Sequence, residues 1–273
     1  MSAITLTASM RSNLASLKSI QNQMDITQER LSTGKKVNSA IDNASSYYQA
    51  RALTNRASDL DALLDSMGQG IQTIEAANEG IEAVTAYVEQ LKSVANSAYA
   101  LDATADGYDD ELAEYAAQFD VIMGEIEALV ADASYQGVNL LKGGTLTVTF
   151  NETRSNKFTI TGKDIVTEMG IEEATGTWAS ATEVDEAITK IAEATDFLRS
   201  YATELGNNYS IIQTRQDFTE AMIDVLETGS DNLVLADMNE ESANYLALQT
   251  RQQLAINSLS LASQSAQSIL SLF

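Results

Sequence analysis

The 273-residue chain contains no proline, no cysteine and no histidine. At a typical frequency of about 5%, about fourteen prolines would be expected, and their absence favours long helices because proline interrupts helix interiors. Without cysteine the chain has no disulfides, thiolate nucleophiles or zinc-thiolate sites, which leaves the redox compartment open. Without histidine it lacks the commonest general base and metal ligand. We therefore expect no enzymatic activity, no cofactor and no metal.

Basic residues are also scarce, with 16 Lys and Arg against 39 Asp and Glu. Residues 1–40 carry five basic and two acidic groups, residues 232–273 carry one and three, and residues 41–231 carry ten and thirty-four. The nearly neutral ends can pack away from water at a modest desolvation cost. The acidic middle is expected to stay solvated and to repel nucleic acid and anionic membranes, so neither is an expected partner.

Long apolar runs are missing as well. No stretch approaches the length of a membrane span, and the first twenty residues lack the apolar core of a secretory leader. If the protein is secreted, the sequence predicts a route without a cleaved signal peptide.

Both ends of the chain carry apolar stripes with alternating spacings of four and three residues, which are typical of a helix that packs against a partner helix. Such a stripe alone is more often an ordinary coiled-coil or bundle face than a filament contact. Its glutamines either fix the register of the pair or are tolerated beside a wet interface. The stripes comprise Met10, Leu14, Leu17, Gln21, Met24, Gln28 and Leu31, and Tyr245, Leu248, Gln252, Ala255, Leu259, Ala262, Ala266, Ile269 and Phe273.

Periodicity predicts five helices, over about residues 4–33, 44–99, 108–133, 181–227 and 233–270, the last capped by Asp231 or Asn232. Gly34 is expected to end the first helix, and the glycines within the second are expected to mark close packing. Residues 145–161 alternate with period two and predict a β-hairpin with Leu146, Val148 and Phe150 inward. Residues 162–178 are predicted to be irregular, with Trp178 packed on the hairpin or on helix ends. The expected fold class is mainly α: a long-helix coiled-coil or bundle subunit with one small β-hairpin and paired N- and C-terminal helices.

Three segments resemble the bacterial flagellins. Residues 30–44 are similar to the signature R-L-S-[ST]-G-x-[RK]-[IV]-N-[ST]-A-x-D-[DN]-A. Residues 134–141, SYQGVNLL, resemble the family's F-N-G-x-x-L-L segment. Residues 231–273 resemble the C-terminal region with its D-A-D-x-A-x-E motif, in which Ala236, Asp237, Glu240 and Glu241 lie. The signature and connector positions are Arg30, Leu31, Gly34, Lys36, Asn38, Ser39, Ala40 and Asp42.

The resemblance implies a minimal flagellin, a structural subunit that polymerises head-to-tail into the extracellular flagellar filament. Residues 1–42 and 231–273 would form the inner core, residues 43–142 and 181–230 the outer core, and residues 143–180 a short variable region. Implied partners are other copies, in a pure or mixed filament, hook-associated junction and cap proteins, and an export chaperone. Self-assembly is assigned to Met10, Leu14, Leu17, Met24, Leu31, Tyr245, Leu248, Leu259, Ala262, Ala266, Ile269 and Phe273.

The alternative within the same superfamily is a hook-filament junction protein, against which the nearly complete N-terminal signature argues. A zinc peptidase of the kind that some flagellins carry needs an H-E-x-x-H helix, which a chain without histidine cannot supply. We also hypothesise that both arms are largely disordered in the monomer and fold during assembly, because short polar helices are marginal alone.

In many flagellins an innate immune receptor recognises a segment resembling L-Q-R-V-R-E-L-A-V-Q near the end of the second helix. The corresponding residues here are 87–96, YVEQLKSVAN, with Glu89 and Leu91 about where arginines would stand, followed by Lys92. The loss of cationic donors predicts weak receptor signalling.

Overall fold

The structure is a computed structural model that describes residues 8–270, except for the side chains of Ala266, Ile269 and Leu270. The predicted helix start at Ile4 and the predicted assembly residue Phe273 lie outside the described residues, as do the side chains of Ala266 and Ile269. The elements are α1 (Ala8–Thr33), α2 (Ala44–Tyr99), α3 (Tyr108–Asp132), β1 (Thr145–Thr149), β2 (Lys157–Thr161), α4 (Ile165–Met169), α5 (Ala181–Val234) and α6 (Met238–Leu270).

The mainly helical fold with one small hairpin is confirmed, and α2 has the predicted bounds. Strands β1 and β2 pair antiparallel, with Leu146 opposite Ile160 and Val148 opposite Phe158. Val148 and Ile160 are buried on the same face, as the alternation predicts. None of the helices in the described residues is long and apolar enough to cross a membrane.

The chain divides into two compact units: a terminal unit of residues 1–57 and 224–273, and a central unit of residues 58–223. The boundaries fall within α2 and within α5. We describe each unit by itself.

The central unit has one continuous apolar core, contributed by α2, α3, the hairpin, α4 and α5. Phe119 of α3 is fully buried, and its ring lies 5.0 Å from that of Trp178. Trp178 therefore packs on the middle of α3, and it also lines a pocket with Glu183 and Ala187 at the start of α5, a helix end as predicted. Tyr201 of α5 is also buried and donates a hydrogen bond to the carbonyl of Leu140 at 2.8 Å.

Two of the three glycines within α2 lie at close contacts. A Cβ at Gly70 would lie 2.7 Å from Val148 Cγ2, and one at Gly80 would lie 2.5 Å from Leu141 Cδ1, whereas Gly68 has no neighbour within 4 Å. The close-packing interpretation thus holds at Gly70 and Gly80, although the neighbours there are the hairpin and the loop after α3.

Two helix boundaries differ from the prediction. The stretch TGSDN, residues 228–232, continues α5 instead of breaking it, and α6 begins only at Met238. Gly229 would place a Cβ 3.4 Å from Leu53 Cδ1, and Ser230 donates to the carbonyl of Ala50 at 3.2 Å. These tertiary contacts outweigh the local preference of glycine, serine and asparagine for a turn.

Residues 162–178, predicted to be irregular, contain the short helix α4. The carboxylate of Asp164 accepts from the amide of Thr167 at 3.4 Å at its start, and Gly170 follows it with φ of +60°. Its two buried side chains, Ile165 and Met169, attach it to the central core.

Candidate assembly interface

Helices α1 and α6 pack against each other within the terminal unit, which confirms the predicted pairing of the terminal helices. On α6 the covered positions include all those of the predicted stripe whose side chains are described. Leu248 is buried, and the half-buried stripe positions are Tyr245, Gln252, Ala255, Leu259 and Ala262. Glu241, which is buried, and Ser263, which is half-buried, are covered in addition.

The covered face of α1 differs from the predicted stripe at alternate positions. Met10 and Met24 are buried and Leu17 and Leu31 half-buried, but Leu14 is 48% exposed. The positions covered in place of Leu14, Gln21 and Gln28 are Asn13, Ile20 and Thr27. Both sets keep alternating spacings of three and four, so the periodicity did not discriminate between them. Ile20 is the one large apolar side chain that indicated the observed face.

The side-chain amides of Gln21 and Gln252 meet across the pair, where Gln252 Nε2 donates to Gln21 Oε1 at 2.6 Å. The bond is exposed to solvent, where water can replace either partner after a shift of register. It therefore fits both interpretations that the sequence left open, a role in register and tolerance beside a wet interface. Gln21 and Gln28 are both exposed.

Arg30 and Glu241 form an ion pair between the two helices. The distance from Arg30 Nη1 to Glu241 Oε1 is 2.8 Å, and the side chains are 39% and 11% exposed. Glu241 is thus a nearly buried carboxylate with a cationic partner, which limits its desolvation cost. The C-terminal motif indicated Glu241, but nothing in the sequence identified Arg30 as its partner.

The connector, residues 34–43, joins α1 to α2 and contacts the end of α5. Gly34 has φ of +71°, and its carbonyl accepts from the amide of Ala236 at 2.9 Å. The amide of Lys36 donates to the carbonyl of Val234 at 2.7 Å, and Lys36 Nζ donates to that of Asn232 at 3.0 Å. These bonds satisfy carbonyls of the last turn of α5, where a cation also complements the helix dipole.

Asp42 holds the turn before α2. Its Oδ2 accepts from the amides of Asn38 and Ser39 at 3.0 and 2.9 Å and from Ser39 Oγ at 3.1 Å. The bond from the Ser39 amide is the first of the causes that lower the pKa of Asp42. The Asn38 amide group donates to Thr33 Oγ1 at 3.1 Å and to Glu29 Oε1 at 3.3 Å. The half-buried Ala40 lies in the same turn.

The described residues contain no group of three or more Asp, Glu, His or Cys that could hold a metal ion. The signature residues join α1, the connector, the end of α5 and the start of α6 by hydrogen bonds and one ion pair. Such contacts are typical of a structural junction.

Comparison of the sequence with known proteins identifies the family of the chain. The profile of the bacterial flagellin N-terminal helical region matches residues 4–145, and that of the C-terminal helical region matches residues 182–273. The chain belongs to the bacterial flagellin family. It is a structural subunit of the flagellar filament, not an enzyme.

Flagellins of three organisms align with nearly the whole chain. Flagellin FljK of Caulobacter vibrioides is 30% identical over 262 residues, covering 95% of this chain and 94% of that protein. A flagellin of Brucella melitensis is 31% identical over 286 residues, covering 100% and 99%. Flagellin A of Rhizobium meliloti is 25% identical over 401 aligned residues, covering 100% of both. Because this alignment spans 401 residues and the present chain has 273, Flagellin A of Rhizobium meliloti is the longer of these two proteins.

Three residues of the segment that corresponds to the receptor-binding stretch are buried, Val88, Leu91 and Ala95. Leu91 is fully buried in the central core, whereas Glu89 and Lys92 are exposed. Of the two positions that replace arginines, only Glu89 therefore lies on the surface of the chain. Weak receptor signalling stays a prediction.

Proposed function

We propose that this flagellin polymerises head-to-tail through its terminal unit, and that free apolar faces of α1 and α6 receive helices of neighbouring copies. In this proposal the terminal unit corresponds to the inner core of the filament and the central unit to its outer layer. A head-to-tail contact that does not close on itself produces an open helical fibre.

The observation that carries this proposal is a second apolar face on α6. Leu246, Leu254 and Leu261 are 62%, 63% and 65% exposed. Their spacings of eight and seven residues place them on one side of the helix, since two turns take about 7.2 residues. The pairing with α1 leaves this side uncovered. Three leucines in water on one helix face are typical of an interaction surface.

A second apolar surface borders the seam between α1 and α6. Leu14 and Ile256, 48% and 44% exposed, line an open cleft of about 450 Å³ together with Met10 and Leu259. The cleft lies towards the chain termini. A third helix that entered it would cover the side chains that the α1–α6 pair leaves half in water. Since only about half of each is exposed, burial of each would contribute roughly 1 kcal/mol.

We also propose that the terminal helices are largely disordered before assembly. The only apolar cluster of the terminal unit within the described residues consists of three buried residues, Val37, Ala50 and Val234. So small a core offsets little of the conformational entropy of ordering two long helices. An export chaperone is a further proposed partner, because it would bind the exposed apolar face before polymerisation. Hook-associated junction and cap proteins would contact the same helices at the filament ends.

The leucine face of α6, defined as Leu246, Leu254 and Leu261, provides the test. A variant with all three changed to Gln should remain in the supernatant when the unaltered chain polymerises, as measured by sedimentation and electron microscopy. The matched variant with all three changed to Met should form long filaments, because methionine keeps the apolar volume. Unchanged melting of the central unit would show that both variants fold. Normal filaments from the Gln variant would refute the proposal.

A further inference from the structure

The central unit contains a cavity between the segment that follows α4 and the first turns of α5. Its volume is about 290 Å³, close to the lower limit of roughly 300 Å³ for pockets that bind small molecules. The apolar part of its lining consists of Ile171, Trp178 and Ala187. Ile171 is buried and the other two are half-buried, so parts of the Trp178 and Ala187 side chains border open space.

The walls of the cavity are fixed by contacts with α3. The ring of Trp178 lies 5.0 Å from that of Phe119. The carboxylate of Asp120 accepts from the amides of Ala174 and Thr175 at 2.6 and 2.8 Å, which holds the segment between α4 and α5 to the same helix. A ligand would therefore enter a preordered cavity, and preordered groups lose less entropy when they bind.

The lining of the cavity is acidic, with four carboxylates and one ammonium group and hence a net charge of −3. These groups belong to Glu172, Glu173, Glu183, Glu186 and Lys190. Lys190 Nζ donates to Glu193 Oε2 at 2.9 Å, and Glu193 does not line the cavity. The carboxylates of Glu173 and Glu186 form no hydrogen bond or ion pair with any residue that the structure describes. Both are therefore available to a cation in the cavity.

Negative charge alone does not distinguish the cavity, because the central unit carries thirty acidic and eight basic groups, a net charge of −22. Trp178, the only tryptophan of the chain, does distinguish it. The face of an indole ring attracts cations more strongly than that of phenylalanine or tyrosine. A metal ion would need convergent ligands instead, and no three acidic side chains in the described part of the chain form such a group. The ligand that uses both the ring and the carboxylates is an organic cation.

We propose that this cavity binds an organic cation, a primary ammonium or guanidinium group on an aliphatic stem. The charged group lies against Trp178 and the carboxylates of Glu173 and Glu186, and the stem lies against Ile171 and Ala187. Two sources supply this chemistry, a free polyamine and a lysine or arginine side chain of a neighbouring subunit. The cavity lies within the central unit of one copy, so binding to it is independent of the proposed polymerisation.

The fluorescence of Trp178 measures binding directly, because no other tryptophan contributes. At least one of spermidine and N-acetyl-arginine amide, titrated into the monomer at constant ionic strength, should give a saturable change with a midpoint of about 1 mM or below. Magnesium chloride should give none, because Mg²⁺ keeps its waters and has no aliphatic stem. No saturable change with either organic probe up to about 10 mM, or an equal response to Mg²⁺, would overturn the proposal.

A pair of double variants tests whether the cavity is the binding site. Glu173→Gln combined with Glu186→Gln should weaken binding about tenfold, because it removes two charges that face the ligand. The matched control combines Glu125→Gln with Glu127→Gln, two exposed carboxylates of α3 outside the cavity, and should stay within about twofold of the unaltered chain. Equal losses from the two double variants would mean that the cation binds the acidic surface in general, and the proposal would be wrong.

Filaments distinguish the two sources of the cation. If a basic side chain of a neighbouring subunit occupies the cavity, filaments should no longer bind the probe that the monomer binds. The Glu173→Gln and Glu186→Gln double variant should then raise the critical concentration for growth. If the ligand is a free polyamine, filaments should bind spermidine as the monomer does, and the double variant should polymerise normally. Filament formation itself tests the proposed function, whereas binding by the monomer tests the cavity.

Discussion

The central unit and the terminal unit bury their apolar residues differently. Thirty-two buried residues of the central unit form one cluster, whereas the cluster found in the described part of the terminal unit has three. Of fifteen large apolar side chains exposed in the described residues, eleven belong to the terminal unit. The eleven are Leu14, Ile26, Ile41, Tyr48, Val225, Leu235, Met238, Leu246, Leu254, Ile256 and Leu261.

The charges of the two units differ in the same sense. The terminal unit carries eight basic and nine acidic groups, a net charge of −1, against −22 for the central unit. A nearly neutral surface with many exposed apolar side chains can associate at little electrostatic cost, whereas a strongly acidic one repels its like. The central unit buries its apolar residues in its own core, whereas the terminal unit leaves many in water, and the proposed assembly would cover these with neighbouring subunits. Four experiments test that contrast.

The largest effect is expected from removal of α6. Deletion of residues 238–273 should abolish filament formation, because it removes the leucine face together with the partner of α1. This deletion keeps Val234, which belongs to the small core of the terminal unit. The central unit should melt as in the unaltered chain, as measured by circular dichroism. Filaments in electron micrographs of the truncated protein would contradict the assignment of assembly to the terminal unit.

Two core truncations should affect the two units unequally. Phe119→Ala removes a fully buried ring that packs on Trp178 and should cost about 3–5 kcal/mol of unfolding free energy. Leu248→Ala removes a buried side chain of the α1–α6 seam. It should change monomer melting little and polymerisation strongly. Equal losses of monomer stability from both variants, in denaturant titrations, would show that the terminal unit is as well packed as the central one.

A pair of glycine substitutions within α2 measures how closely the central unit is packed. Gly80→Ala would place a Cβ 2.5 Å from Leu141 Cδ1 and 3.1 Å from Ala133 Cβ and should destabilise by about 1–3 kcal/mol. Gly68→Ala, on the same helix with no neighbour within 4 Å, should stabilise by about 0.5–1 kcal/mol. Thermal melting of both variants compares them directly. A stabilising Gly80→Ala would mean that Leu141 moves aside without cost.

The smallest effect concerns pH at the connector. Hydrogen bonds, first that from the Ser39 amide, lower the pKa of Asp42 below its ordinary value of 3.8. Because the lowered pKa belongs to the folded state, the stabilisation is complete well above about 3.9, the unfolded value. It is lost as pH falls through the lowered pKa. An NMR titration of the Asp42 carboxyl carbon should therefore have its midpoint below that of an unfolded peptide, and a midpoint at or above it would contradict the connector geometry.

Much of the fold could be predicted because the local patterns were unambiguous. The bounds of α2 follow from the polar turn before Ala44 and the loop after Tyr99, and the hairpin follows from alternation at Leu146 and Val148. The short helix α4 was missed because five residues are too few for a helical period to show. The continuation of α5 through Gly229 and Ser230 was missed because contacts with Leu53 and Ala50 decide it.

The candidate interface was predictable on α6 and only partly on α1. The α6 stripe, which contains Tyr245, Leu248 and Leu259, keeps alternating spacings of three and four residues without interruption. On α1 the alternative positions are polar on both sides, Gln21 and Gln28 against Asn13 and Thr27. Without a difference in hydrophobicity, the face that turns inward is decided by the partner helix. The outer leucines of α6 were not predicted, because polar residues separate them at the intermediate turns, and their spacings of eight and seven residues give no continuous stripe.

The sequence by itself determined four features of this protein. These are the acidic middle with nearly neutral ends, the helical termini that pair, the hairpin and the resemblance to flagellins. They depend on composition, period and motif, which are local properties. Only the tertiary structure decided that Asn13 is half-buried while Leu14 is exposed, that Arg30 meets Glu241, that Leu91 is buried and that Ile41 is exposed. The physical reason is that burial depends on contacts between segments that are distant in sequence. The periodicity of one helix limits which of its faces can be buried, but the partner helix decides which face is.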